Sequence, residues 1–192
     1  MTFRRLLASL VAAIGLGTAA LAQPAEAPVS AAGLDAFATV FSVLVHPRCQ
    51  NCHTRTGWPR QGDDRHRHVV NVHRGPDGRG VAGMTCAACH GRANNEWSGV
   101  PGADEDWHLA PLSMGWEGLP AAEVCRNLLD PSRNGGRSGA EVVNHLRTHL
   151  VQWAWEPGRT GRGADRSRPP VPYDEFVRAA EAWVAAGAPC PA

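Results

Sequence analysis

Tyrosine occurs once and phenylalanine four times in this 192-residue chain, against 21 Gly and 15 Pro. So few large apolar rings leave an ordinary aromatic core thin for the length, and the domain needs apolar surface from another source. Charge of one sign is lacking as well: the formal net charge is +1, which excludes electrostatic capture of nucleic acid as the main activity. The longest apolar run, Leu6 to Ala20, is too short and too rich in Ala and Gly to favour a permanent transmembrane helix. No stretch alternates strictly enough to read as a convincing strand.

What the chain does have is six cysteines, four of them in Cys49-Gln50-Asn51-Cys52-His53 and Cys86-Ala87-Ala88-Cys89-His90. Each pentapeptide reads as an attachment site for a c-type haem: two cysteines bond the porphyrin through thioethers and the adjacent histidine binds the iron. Cys49, Cys52, Cys86 and Cys89 are therefore the expected covalent attachment points of two c-type haems, with His53 and His90 as proximal ligands. Two buried porphyrins would supply the missing apolar surface at about 25 cal/mol per Å² removed from water, so folding is expected to depend on haem. The competing reading is a structural zinc-binding protein, with four thiolates closing a tetrahedral shell. A zinc ribbon, however, has no need of a histidine directly after both second cysteines. A thioredoxin-like redox pair fits less well, because neither motif follows a strand and opens a helix in a βαβ pattern.

The first residues add an independent signal. Arg4 and Arg5 precede the apolar run, and Ala20-Leu21-Ala22 places small residues at a cleavage position, so residues 1–22 read as a secretory signal peptide. Its removal turns the formal charge negative and leaves about 170 residues, a one-domain length, with no stable membrane span; a retained anchor is the alternative. Export implies a periplasmic location and an oxidising compartment in which unpaired thiols do not persist. The two remaining cysteines, Cys125 and Cys190, are the candidate disulfide.

Residues 23–32 read as a Pro/Ala-rich tether, and residues 33–192 as one mainly α, cytochrome c-like dihaem domain with few short helices and long haem-wrapping loops. Leu34, Phe37, Phe41 and Leu44 recur at helical spacing, and Pro47 stops or bends that helix just before Cys49. Residues 54–85 form a long loop with a turn signal at Gly75-Pro76-Asp77-Gly78. A second loop, 91–119, carries Trp97, Trp107, His108, Met114 and Trp116 and is expected to pack over a haem face. Pro120 suits a first helical position before Val124, Leu128 and Leu129. Ser138 and Glu141 have capping-box spacing and open a helix to about Trp153, on which Val142, Leu146, His149 and Trp153 share a face. Asp174 is placed to cap the last helix, with Phe176, Val177, Ala180 and Val184 inward and Gly187 ending it.

Sixth ligands are not set by the motif, and a methionine there would raise the potential relative to a second histidine. His68 and His66 lie far enough past Cys52 to fold back over either haem, with Asp63 or Asp64 able to orient a ring nitrogen; His68 is the first choice for one iron. Their alternative role is a solvated surface turn. His108 and Met114 sit in an apolar and aromatic setting, so one of the two is expected to cap a haem, with core packing as the other role for the methionine. His46 is a further candidate, for the partner haem. Met84 is too near Cys86 to reach its own iron without strain, His73 is most simply a loop residue, and His145 with His149, four apart, suit a helix surface or a supporting position.

The segments His46-Pro47-Arg48-Cys49, Gly83-Met84-Thr85-Cys86, Trp107 through Trp116, Asn134-Gly135-Gly136-Arg137, Trp153-Ala154-Trp155-Glu156-Pro157-Gly158 and Gly187-Ala188-Pro189-Cys190-Pro191 resemble a family of small bacterial two-CxxCH proteins labelled isoquinoline 1-oxidoreductase subunit. The resemblance runs from about residue 40 to the end. It implies an electron acceptor for a molybdenum hydroxylase or other dehydrogenase that oxidises N-heterocycles or aldehydes. The chain lacks plant-type spacing for a [2Fe–2S] cluster and is too short to house a molybdopterin subunit, so it is not the hydroxylating centre. The expected function is outer-sphere electron transfer, in through one haem and out from the other to a soluble cytochrome or terminal oxidase. The rival from another class is a small haem enzyme, a peroxidase or oxyanion reductase, with one open iron; a haem-based ligand sensor is a third.

Overall fold

The computed structural model describes residues 30–103, 107–159 and 163–192. The expected signal peptide and most of the expected tether lie outside the described residues. The tether is shorter than expected at its end, because helix α1 (Ala31–Leu44) already begins at Ala31, with Ser30 accepting the Gly33 N–H at 3.2 Å.

Among the described residues the fold is mixed, six short helices and two small antiparallel sheets joined by long loops, with which the mainly α expectation agrees only loosely. After α1 come a single turn α2 (Pro47–Gln50), hairpin β1 (Arg60–Gln61) with β2 (His66–Arg67), hairpin β3 (Gly80–Val81) with β4 (Met84–Thr85), then α3 (Ala121–Leu129), α4 (Gly139–Leu146), the short α5 (His149–Gln152) and α6 (Tyr173–Ala185). Register pairs Arg60 with Arg67 and Gly80 with Thr85. The expectation of no strand is therefore corrected. Each ladder is two residues long, shorter than any window in which alternation can register.

The main core is built by α1, α3, α4 and α6. Phe37, Val40, Val43 and Leu44 meet Phe176, Ala180 and Trp183, with Val124, Leu128, Val142, Val143 and Leu146 around them. Gly33 is needed for this approach, since a Cβ there would stand 2.6 Å from Pro189 Cγ. Two faces are rotated from their expected phase. On α1 the line Gly33, Phe37, Val40 and Leu44 is buried, while Leu34 and Phe41 are half-buried. On α6 Trp183 points inward, 5.1 Å from the Phe37 ring, and Val184 is half-buried. A helix turns 100° per residue, so a one-position change of phase puts the larger Trp183 inward on α6, while on α1 it puts the smaller Gly33 and Val40 inward, where Gly33 lets Pro189 approach closely.

Local signals held with small corrections. The Ser138–Glu141 capping box forms, with Ser138 N–H on Glu141 Oε2 at 2.7 Å and Glu141 N–H on Ser138 Oγ at 3.3 Å. Pro120 and Pro172 precede the first helical residues of α3 and α6. Asp174 thus lies inside the first turn of α6 and does not cap it; there it faces the positive end of the helix dipole. Gly187, at φ +85°, closes α6, with the Ala188 N–H on Trp183 O at 2.9 Å and the Gly187 N–H on Val184 O at 3.1 Å. The helix expected from Ser138 to Trp153 is broken at Arg147-Thr148, where Thr148 N–H and Oγ–H both bond His145 O. His145 and His149 consequently belong to different helices. Cys125 on α3 and Cys190 form the expected disulfide, with Cα atoms 5.6 Å apart. No described helix is long and apolar enough to cross a membrane.

Candidate functional site

Both CxxCH segments fold into the same local turn. In the first, the Cys52 and His53 N–H groups bond Cys49 O at 3.3 and 3.0 Å; in the second, the Cys89 and His90 N–H groups bond Cys86 O at 3.2 and 3.0 Å. A single helical turn sets both cysteines and the histidine on neighbouring positions of one face. His46 starts the first turn, its Nδ1 accepting from Arg48 N–H at 3.3 Å ahead of Pro47. The four motif thiols are free of disulfides. Burial pushes Cys49 up to about 12, helped by Cys52, and Cys52 up to about 11, so neither is a ready nucleophile.

The surroundings of the two histidines repeat as well. His53 Nδ1 lies 2.9 Å from Met114 O and its ring stacks on Trp116, centroids 3.7 Å apart and planes 13° off parallel. His90 Nδ1 lies 2.7 Å from Pro101 O and its ring stacks on Trp107 at 4.2 Å and 27°. A carbonyl only accepts, so each Nδ1 carries the proton and each Nε2 keeps its lone pair. Burial lowers both imidazoles, His53 to about 3 against the opposing pull of the Met114 carbonyl. Both are therefore neutral at physiological pH, the form that binds a metal. Trp116 is itself held by Nε1–H on Leu44 O at 2.8 Å.

The two motifs are neighbours. Cys52 of the first packs against Cys86, Trp107 and Leu109 of a second apolar cluster. Arg74, buried, stitches the two loops by donating to Thr54 O at 3.1 Å, Thr56 O at 3.3 Å and Ala110 O. Glu117 gathers Arg55 N–H at 2.8 Å, the Thr54 hydroxyl at 3.1 Å, Arg60 Nε at 2.7 Å and Arg65. Burial would raise its pKa, but these donors outweigh that and lower it.

No family model matches the chain. No curated protein and no solved structure matches it either. What this site can do is thus argued from its own geometry.

The sixth-ligand candidates are scattered. His68 follows β2 and its ring lies 6.3 Å from that of His90, at 55°. His66 is exposed and bonds Asp64 at 2.6 Å, whereas Asp63 pairs with Arg48 and the Ser167 N–H. His46 has its other nitrogen 3.3 Å from Ser167 Oγ, and exposed His73 meets Arg67 at 3.1 Å. His108 is exposed between buried Trp107 and Leu109. The Met114 side chain is buried in the main core, and its carbonyl puts it on the side of His53. Met84 is 41% exposed on β4 and Trp97 87% exposed, so Trp97 is on the surface. His145, for which a helix surface or a supporting position was expected, is half-buried and lowered to about 4 by burial, then Arg137 and His108.

Among the described residues no three His, Cys, Asp or Glu side chains are gathered to hold a metal ion. A closed zinc shell requires four such donors. A porphyrin brings four nitrogens of its own and asks only one or two of the protein. Trp107 and Trp116 were expected in a loop over a haem face but not paired with a particular histidine; the signal for that pairing was weak, an indole following the carbonyl that each histidine uses. Arg74 and Glu117 were missed.

Proposed function

We propose that this chain is an exported, cytochrome c-like dihaem protein that carries electrons between larger redox proteins. One observation supports this most: both CxxCH histidines donate Nδ1–H to a loop carbonyl and rest on an indole, leaving Nε2 as a neutral donor. Either arrangement alone would be an ordinary buried histidine; the same arrangement at both motifs fits two metal ligands oriented in the same way. The group that Cys49, Cys52 and His53, and likewise Cys86, Cys89 and His90, would hold supplies one-electron chemistry between ferrous and ferric iron.

The chain's own residues orient the two imidazoles, exclude water through Trp107, Leu109 and Trp116, and keep the motifs adjacent through Cys52 against Cys86. Adjacent sites let an electron pass between them without leaving the protein. The disulfide is compatible with an oxidising compartment, in keeping with the periplasm. The family resemblance supports a molybdenum hydroxylase or other dehydrogenase as donor, with a soluble cytochrome or terminal oxidase as acceptor.

Protein purified from an exporting, haem-attaching host tests the reading directly. The expected result is a thioether-type haemochrome spectrum and an intact mass equal to the processed polypeptide plus two haems. Colourless protein of bare polypeptide mass would sink it.

A further inference from the structure

We infer that His68 is the axial partner of His90, the two imidazoles binding one iron from opposite sides, so that the second haem is bis-histidine and six-coordinate. This rests on the dihaem reading above and adds a ligand that the motif does not specify. Its sixth ligand then comes from the hairpin that follows the first motif, not from the segment that carries the second haem.

The first support is a distance. Two imidazoles on opposite sides of one metal, with bonds of about 2.0 Å and nitrogens about 1.15 Å from their ring centroids, have centroids about 6.3 Å apart. The His68 and His90 centroids are 6.3 Å apart. Trp107, which stacks on His90, sits closer, at 4.2 Å. The 55° between the planes is no obstacle, because each ring can turn about the metal–nitrogen axis independently.

The second support is an unmet bond. Among the described residues the buried Nδ1 of His68 has no hydrogen-bond partner, an uncommon state for a buried polar atom, so no described group competes with a metal for this imidazole. The other two histidines of residues 54–85 are spoken for, His66 by Asp64 and His73 by Arg67, and both are exposed. His46 is engaged at both nitrogens.

The third support is how His68 is held. Asn51, an interior residue of the first motif, donates Nδ2–H to Gly62 O at 2.9 Å and accepts Arg60 N–H at 3.0 Å, while His68 N–H bonds Pro59 O at 3.1 Å. The adjoining Arg67 guanidinium lies over Trp58 at 4.7 Å. A ligand whose backbone is tied on both sides of the hairpin is pre-positioned, which keeps an electron-transfer site from reorganising as the iron changes charge.

The test compares wild type with His68→Ala, His68→Met and, as a control on the same hairpin, His66→Ala, each first assayed for haem per chain. Reduced His68→Ala should bind one more equivalent of carbon monoxide per chain than wild type, and added imidazole should abolish the extra binding. His68→Met should move the near-infrared charge-transfer band of one haem from bis-histidine to His/Met type and raise the potential of that haem. His66→Ala should match wild type in both measurements. A His68→Ala protein with two haems and wild-type carbon monoxide stoichiometry overturns the assignment, as does an unaltered near-infrared spectrum in His68→Met. If neither variant folds, wild type decides: a spectrum with no bis-histidine haem overturns the assignment, as does paramagnetic NMR that assigns the second haem's axial imidazoles to any pair other than His90 and His68, whereas assignment to that pair upholds it. Wild type without haem overturns the dihaem reading itself, a separate failure.

Discussion

Replacing Cys125 and Cys190 together by alanine should lower the stability of the domain by about 4 kcal/mol. The bond spans a sequence separation of 65 residues, and the loop-closure entropy for that length gives about 4 kcal/mol at 25 °C. Cys125 is fully buried on α3, while Cys190 belongs to the tail behind α6. The tail's short hydrogen bonds are local: Trp183 Nε1–H on Pro189 O at 3.0 Å and Ala188 N–H on Trp183 O at 2.9 Å. Neither restrains the unfolded chain over a long span, so the crosslink carries that effect. At about 2–4 °C per kcal/mol for a domain of this size, the melting temperature should fall by about 8–16 °C. Urea and thermal unfolding followed by circular dichroism measure this, with reduced wild type expected to behave like the double variant. A double variant within about 1 kcal/mol of wild type would refute the chain-entropy reasoning.

Trp116→Ala should cost about 3–5 kcal/mol in urea unfolding, because the ring is 2% exposed. Trp116→Phe should cost less but still about 1–2 kcal/mol, since Leu44 O loses its donor. Glu117 has a lowered folded pKa, so its contribution is full above the unfolded value of about 4.3 and lost as pH falls through the folded one. Wild type should therefore lose stability on acidification below about pH 4.5 more steeply than Glu117→Gln, as read from urea midpoints against pH. Asn51→Ala removes one hydrogen bond worth about 0.5–1.5 kcal/mol, and amide exchange at Arg60 and His68 should accelerate; unchanged exchange would show that Asn51 does not hold the hairpin. Cys52→Ala should bring haem content from two to one per chain and lower the melting temperature; full pigment with an unchanged melting curve would contradict the attachment sites.

Local order was the legible part of the fold. The helical stripe of α1, the Ser138–Glu141 box and the Gly187 terminus each depend on residues within one or two turns, so spacing alone exposes them. The helix break at Arg147-Thr148 carries no Gly or Pro to mark it, and the two-residue ladders are too short to alternate. Trp183 facing inward in place of Val184 was a choice of phase between two apolar neighbours, settled by which of them fits against Phe37.

The candidate site divides along the same line. From the amino-acid order alone came both thiol pairs, the histidine beside each, and the leftover Cys125 and Cys190, because these follow from covalent spacing and from counting. Only the folded chain brought Met114 O to His53 across 61 residues, Pro101 O to His90, and His68 within 6.3 Å of His90. Contacts of that kind depend on how long loops close over a packed core, and no local propensity encodes where a loop's carbonyl or imidazole comes to rest.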